Sequence, residues 1–209
     1  MAQATFGDLV KAVVDVRRGL LAVDAGMHSD LEALLLDAGC GQADLWGINF
    51  YPGEHGTPGF LEFDSMINLR PGPGEPDAVG RGPGDPRGHR GARRSGAGGL
   101  TLHPDLTPDR WGTLTLAEQL GNAGADVGRA VRAREGGNEP RMAASLDRAL
   151  AQLDLTLADA RWAGRRRREI ARAREVVCDL LAGDNVYDST SVSVERWFMA
   201  YAVEARAGR

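Results

Sequence analysis

The 209-residue sequence predicts an α+β protein built from two dissimilar parts: a small antiparallel-sheet domain with one short helix, then an all-α four-helix bundle. Short β-branched runs separated by turn residues fill the first part. A run rich in glycine and proline, residues 71–99, has no apolar periodicity. Apolar residues then recur at helical spacing. We therefore expect domains at 1–72 and 113–209, joined by a flexible linker over 73–112.

The first two predicted strands cover residues 10–16 and 20–23 and form a hairpin, in which Gly19 supplies a positive φ. A short helix is predicted over residues 30–38. Ser29 is its expected cap, with Glu32 three residues later in a capping box, and a glycine at position 39 ends it.

Two more strands are predicted over residues 44–51 and 60–70, the second with clear alternation. We expect the side of the third strand that carries Trp46, Ile48 and Phe50 to pack on the helix. Polar residues would then share the other face of the sheet. We define a candidate polar cluster from these strand residues and from His28 and Glu32 of the helix region; Tyr51 lies beside it. Its members are Asp15, His28, Glu32, Asn49, Glu62, Asp64, Asn68 and Arg70.

Two interpretations of this cluster remain open. Glu62 and Asp64 lie two residues apart on one strand and could hold a divalent metal, with His28 or Glu32 as a further ligand. The same carboxylates could instead pair with Arg70 in a polar network, because antiparallel sheets commonly keep one solvated face. No metal or cofactor is assigned on these residues alone.

The stretches FGDLVKAVVDVRRGLLAV, HSDLEALLLDAGCGQADLWGINFYP and FLEFDSMINLRP resemble a small uncharacterised bacterial domain family, over about residues 6–72. The motifs that carry the resemblance are LWG-x-N-x-YP and E-x-DSMIN-x-RP. The resemblance implies a small α+β fold and no established activity.

Four helices are predicted in the second part. Thr115 and Glu118 form a capping box for the first, the second begins at Pro140, and Asp159 is expected to cap a long arginine-rich third helix. A last helix follows the DNVYDSTS loop, whose Ser189, Thr190 or Ser191 would cap it. The strings LDLTLADARW and GDNVYDST resemble small bacterial all-helical proteins for which no chemistry is established.

The bundle contributes two candidate surfaces. The loop residues Asp184, Asn185, Tyr187 and Asp188 are explained by Asx turns after a helix end or, alternatively, by a binding loop. The candidate basic surface consists of Arg161, Arg165, Arg166, Arg168 and Arg172. Three interpretations of this surface remain open: a solvated helix face with local ion pairs, a contact with nucleic acid, or a contact with an acidic protein partner.

Charge and composition restrict the function classes. The net charge is −4, and residues 1–70 carry ten Asp/Glu against four Lys/Arg, which argues against nucleic-acid binding by the first part. The two cysteines, Cys40 and Cys178, lie in different halves and form no metal-binding motif. With no secretory signal and no run of roughly 20 apolar residues, a cytoplasmic protein without a membrane partner is expected.

No complete catalytic constellation is present in the sequence, and none of the four histidines lies in the bundle. The first hypothesis is a non-enzymatic interaction or regulatory protein whose partner is a protein, including contact between its own domains or a homo-oligomer. One alternative is nucleic-acid binding through the arginine-rich third helix. The other is a metal-dependent enzyme on the polar strand face, so enzymatic activity stays uncertain.

Overall fold

The computed structural model describes residues 9–70 and 106–207, which belong to two compact units. The first unit contains a four-stranded sheet and one helix, and the second is helical, so the predicted α+β class is confirmed.

The sheet of the first unit is antiparallel throughout, with the strand order β2-β1-β3-β4. Its strands are β1 (Val10–Asp15), β2 (Leu20–Val23), β3 (Leu45–Phe50) and β4 (Leu61–Glu62). The β1–β2 hairpin turns through Gly19, whose φ of +66° confirms the expected left-handed position.

Helix α1 (His28–Asp37) covers one face of this sheet. Its Leu31 and Leu35 join Val13 and Ala22 in one apolar core, and Val13 lies opposite Gly47 in the β1–β3 register. Because side chains alternate along a strand, Trp46 and its neighbours at positions 48 and 50 point to the opposite face. The expectation that this apolar side packs on the helix is therefore wrong. Helix α1 packs instead on the face where β1 carries Val13 and β2 carries Ala22.

The chain crosses over β3 at Gly47 as it leaves the sheet. β4 ends at Glu62, and residues Met66–Asn68 form a 3-10 turn, so the predicted strand over 60–70 is wrong beyond residue 62. A Cβ at Gly47 would lie 2.4 Å from Oγ of Ser65 and 2.9 Å from Cγ1 of Ile67. Ile67 is fully buried in the core. The segment therefore has an apolar residue at this position because it packs against β3, and not because it belongs to a strand.

The start of α1 also differs from the expected capping box. The helix begins at His28, its N-cap Met27 makes no side-chain cap hydrogen bond, and Ser29 is buried within the first turn. The helix ends as predicted beside Gly39, which has a φ of +82°.

The second unit contains one short helix and four long ones. They are α2 (Pro108–Gly112), α3 (Leu116–Glu135), α4 (Glu139–Ala158), α5 (Arg165–Ala182) and α6 (Ser191–Ala207). The Thr115–Glu118 capping box is confirmed, and Thr190 caps α6 through the amide of Ser193. Most of the predicted linker, residues 73–112, lies outside the described residues. The last five residues of that predicted range form α2.

The arginine-rich helix is shorter than predicted. Asp159 caps only the 3-10 turn Ala160–Trp162, and α5 begins at Arg165, after Gly164 with a φ of +77°. A left-handed residue cannot continue a right-handed helix, which explains why the two segments are separate.

Helix α3 is central to the second unit because it packs against both α4 and α6. At the α3–α6 contact a Cβ on Gly124 would lie 2.4 Å from Cβ of Phe198, so glycine permits the close approach. At the end near α2, the side chain of Gln119 donates to the backbone oxygen of Trp111 and accepts from the indole of Trp162. No helix within the described residues is long and apolar enough to span a membrane.

The Gly47 crossing gives a direct stability prediction. Gly47→Ala should lower the free energy of unfolding of the first unit by about 1 to 3 kcal/mol, because the added methyl group overlaps Ser65 and Ile67. The measurement is urea unfolding followed through resolved amide resonances of residues 9–70.

Gly53→Ala is the matched control, since a Cβ there meets no atom within 4 Å. Its effect should stay within about 0.5 kcal/mol. Equal effects of the two substitutions would contradict the close crossing.

Candidate functional site

Asn68 fixes the crossing segment onto β3. Its side-chain Oδ1 accepts from the amide of Gly47 at 2.7 Å, and its Nδ2 donates to the oxygens of Gly47 at 2.8 Å and Phe63 at 3.1 Å. The side chain is 2 % exposed. The amide group thus takes the place of a neighbouring strand at Gly47, and its second hydrogen bonds the crossing segment at Phe63.

A second group of polar contacts lies at the β3–β4 edge. Nδ2 of Asn49 donates to the backbone oxygen of Asp64 at 3.2 Å, and the hydroxyl of Tyr51 donates to Glu62 at 2.8 Å. Burial, and then the hydrogen bond to Glu62, raise the pKa of Tyr51 to about 12. The Asp64 side chain is exposed and Arg70 is half-buried. This edge therefore resembles the predicted polar network more than a site with free ligands.

His28 and Glu32 lie one turn apart on α1 and are both buried. Nε2 of His28 is 3.0 Å from the backbone oxygen of Ile48, and Glu32 accepts from the side chain of Gln42 at 3.2 Å. These contacts connect the helix to β3 and to the turn before it. They give both residues a structural role.

Asp15 lies in a different environment, beside the β1–β2 turn. Its Oδ1 accepts from the amides of Arg17 and Arg18 at 2.9 and 2.8 Å. The Cys40 thiol is the main influence on this carboxyl: its hydrogen bond lowers the pKa of Asp15 below 3.8, assisted by the two amides and opposed by burial. No local pattern in the sequence indicates that Asp15 and Cys40 influence each other's pKa.

The Cys40 thiol is poorly suited to nucleophilic chemistry. It is buried, and Nη1 of Arg18 donates to its Sγ at 3.3 Å. Burial, followed by the influence of Asp15, raises the pKa of the thiol above its usual value, which disfavours the reactive thiolate.

Residues of the predicted polar cluster therefore make structural contacts at the β3–β4 edge, on α1 and beside the β1–β2 turn. Within residues 9–70 and 106–207, no three His, Cys, Asp or Glu side chains converge as they would around a metal ion. The buried side-chain atoms without a hydrogen-bond partner among the described residues include Oδ2 of Asp15, Oδ1 of Asn49 and Oγ of Ser65.

The candidate binding loop of the second unit is held by its own helix. The Asp179 carboxylate accepts from the amides of Val186 and Tyr187, both at 2.9 Å, and the Tyr187 hydroxyl donates to Glu175. The side chain of Asn185 donates from Nδ2 to the backbone oxygen of Ser189 and accepts at Oδ1 from its amide, both at 3.0 Å. Asp184 and Asp188 remain exposed, so most of the loop's polar groups serve to shape it.

The arginines of the candidate basic surface have different environments. Arg161 binds Asp159 and stacks on Trp162, Arg166 lies 5.7 Å from the same ring, and Arg172 pairs with Glu169 at 3.3 Å. Arg165 and Arg168 are exposed. The surface is therefore partly neutralised by neighbouring carboxylates.

The feature that sequence reasoning missed is the sheet face opposite α1, here called the outer sheet face. It consists of the alternate residues Ala12, Val14, Leu21, Val23, Trp46, Ile48, Phe50 and Leu61. Leu21 is 52 % and Val23 47 % exposed, while Phe60 packs on Phe50 with ring centroids 5.4 Å apart. The sequence contained a signal for this face, because every second residue of each strand is apolar and these residues face each other across the paired strands.

Residues 1–77 match the model of a family described as "Protein of unknown function (DUF5674)". The match covers the sheet unit and agrees with the expectation of an uncharacterised N-terminal domain. Comparisons with curated proteins and with solved structures give no match.

The environment of Asp15 predicts how stability depends on pH. A carboxyl with a lowered pKa stabilises the fold when the pH is above its ordinary value of 3.8, and that contribution is lost as the pH falls through the folded-state pKa. The difference in unfolding free energy between wild type and Asp15→Asn should therefore be largest near neutral pH and shrink in acid.

Urea unfolding of residues 9–70 at several pH values measures this difference. Asp24→Asn, which removes an exposed carboxylate after β2, controls for the loss of charge alone. A difference for Asp15→Asn that is independent of pH would show that the Cys40 and amide contacts do not stabilise the charged form.

Proposed function

We propose that this protein is a non-enzymatic interaction protein whose first unit binds an amphipathic helix of a partner protein on the outer sheet face. The observation that carries the proposal is the apolar character of that face, on which Leu21 and Val23 of the edge strand are about half exposed while Ala12 and Ile48 at its centre are buried. Exposed apolar side chains that lie next to each other typically mark an interaction site.

A helix suits the dimensions of this face. Four strands spaced at about 4.8 Å give a surface roughly 14 Å wide, and a helix with its side chains is about 10 Å across. The opposite face of the same sheet already accommodates α1. A second helix would complete a three-layer arrangement in which both sheet faces are covered.

The charge of the first unit favours a basic partner. Residues 1–70 carry ten Asp/Glu and four Lys/Arg, so a helix with lysine or arginine on its polar side is attracted to the unit. A second copy of this acidic unit would be repelled. The chain's own residues 71–105 are a poor occupant, since Val79, Leu100 and Leu102 are their only large aliphatic residues.

The enzymatic alternative has less support. His28, Glu32, Asn49 and Asn68 are buried and contact backbone or neighbouring side chains. A metal-dependent reaction needs carboxylates or histidines that converge on one ion, and these residues are distributed over the helix, the sheet edge and the crossing segment.

The test is an NMR titration of the ¹⁵N-labelled full chain with two designed helical peptides that share a leucine face. One peptide has lysine and the other glutamate on its polar side. The lysine peptide should shift resonances of Leu21, Val23 and the Trp46 indole, and should bind at least about tenfold more tightly than its glutamate twin.

Replacing Leu21 and Val23 together by serine should weaken this binding, because the peptide loses apolar contact. Leu34→Ser is the matched control: this leucine is 59 % exposed but lies on the outer side of α1. Absence of binding, or equal weakening by the control, would refute the proposal.

An RNA titration of the same labelled chain tests the alternative that the protein binds nucleic acid. Addition of a single-stranded RNA that shifts resonances of Arg165, Arg166 and Arg168, with an affinity that falls steeply with salt, would favour that alternative. The ion pairs of Arg161 and Arg172 reduce the positive charge on which it depends.

A further inference from the structure

Helix α6 is apolar on two sides. Its inner side buries Val194 and Phe198 to 6 % and 3 % exposure and packs against α3. Its outer side carries Val192, Met199 and Val203, which are 63 %, 57 % and 58 % exposed. The outer side of a helix in a monomeric bundle is normally polar, so this stripe needs an explanation.

Charged residues border the stripe in a self-complementary pattern. Glu195 and Arg206 lie on the same flank of the stripe, because their eleven-residue separation is close to three full turns. Arg206 is exposed. Glu195 is 3.5 Å from Nη1 of Arg132, a contact between side chains that both remain substantially exposed.

We propose that the outer side of α6 pairs with α6 of a second copy of this chain, in antiparallel orientation about a twofold axis near residues 200 and 201. In this register Glu195 lies opposite Arg206 of the second copy, and the ion pair occurs twice by symmetry. Met199 lies within one residue of the position opposite Val203 of the second copy, so these two apolar residues meet between the two ion pairs, whereas Val192 lies outside the overlap.

The orientation follows from the charges. In an antiparallel helix pair the same flank of each helix faces the other, which brings opposite charges together here. In a parallel pair opposite flanks of the two helices face each other, so Glu195 and Arg206 of one copy would not meet and the two ion pairs between them would not form.

The size of the contact sets its strength. One helix pair buries less surface than the roughly 1,200 Å² typical of stable interfaces, so the dimer is weak and depends on protein concentration. This inference concerns the second unit and does not depend on the proposed function of the sheet unit.

Sedimentation equilibrium of the full chain over a wide concentration range tests the proposal. Wild type should show a monomer–dimer equilibrium. Arg206→Glu and Glu195→Arg should each lower the association constant by about tenfold, because each places like charges in contact twice. The double variant should restore association, since the pair is re-formed with its charges exchanged.

Arg141→Glu is the control for the change in net charge, as Arg141 is exposed at the start of α4. It should leave association unchanged. A chain that stays monomeric at all concentrations would overturn the proposal, and so would a double variant as weak as the single ones. A dimer that is lost on replacing Leu21 and Val23 by serine, but not with the α6 variants, would also overturn it.

Discussion

The close crossing of residues 65–68 over Gly47 is the constraint on which the first unit depends. Only a residue without a side chain at position 47 lets Ser65 and Ile67 lie against β3, and the Asn68 amide then hydrogen-bonds the strand there. The crossing completes the core under α1 through Ile67. It also engages polar residues that could otherwise form a site. The exposed side chains of the outer sheet face, Leu21 and Val23, make no such contacts, and they support the proposed interaction function.

The second unit satisfies its buried charge in the same local way. Arg174, fully buried, donates to Asp154 at 2.6 Å, and the Arg167 guanidinium donates to the backbone oxygen of Leu157 at 3.0 Å. Unpaired buried charge is costly, so removal of either partner is expected to destabilise the second unit. The arginine-rich sequence of α5 thus combines structural arginines with exposed ones, and only the exposed ones can serve a nucleic acid. The apolar outer side of α6 is a separate surface with its own proposed occupant.

Some local signals in the sequence predicted local structure correctly, whereas the Ser29 and Asp159 helix caps were predicted wrongly. Gly19 and the Thr115–Glu118 capping box were identified because the residues that define them are neighbours in the chain. Alternation over residues 60–70 was misleading, since burial against β3 and membership of a strand produce the same pattern. The pairing of Asp15 with Cys40 joins residues 25 positions apart, and no local rule reveals it. The side of the sheet that α1 covers is likewise decided by tertiary packing, so the sequence could identify the polar residues but not their separate structural roles.

Hydrogen exchange at the Gly47 amide, measured by NMR on the full chain, tests the crossing most directly. This amide donates to the side chain of Asn68, not to a neighbouring strand. We expect it to be protected as strongly as amides of the central strand pair in wild type, and we expect Asn68→Ala to remove this protection selectively. A Gly47 amide that exchanges in wild type as fast as those of the exposed loop near Gly53 would contradict the crossing. The Asn68 side chain would then be available for other contacts.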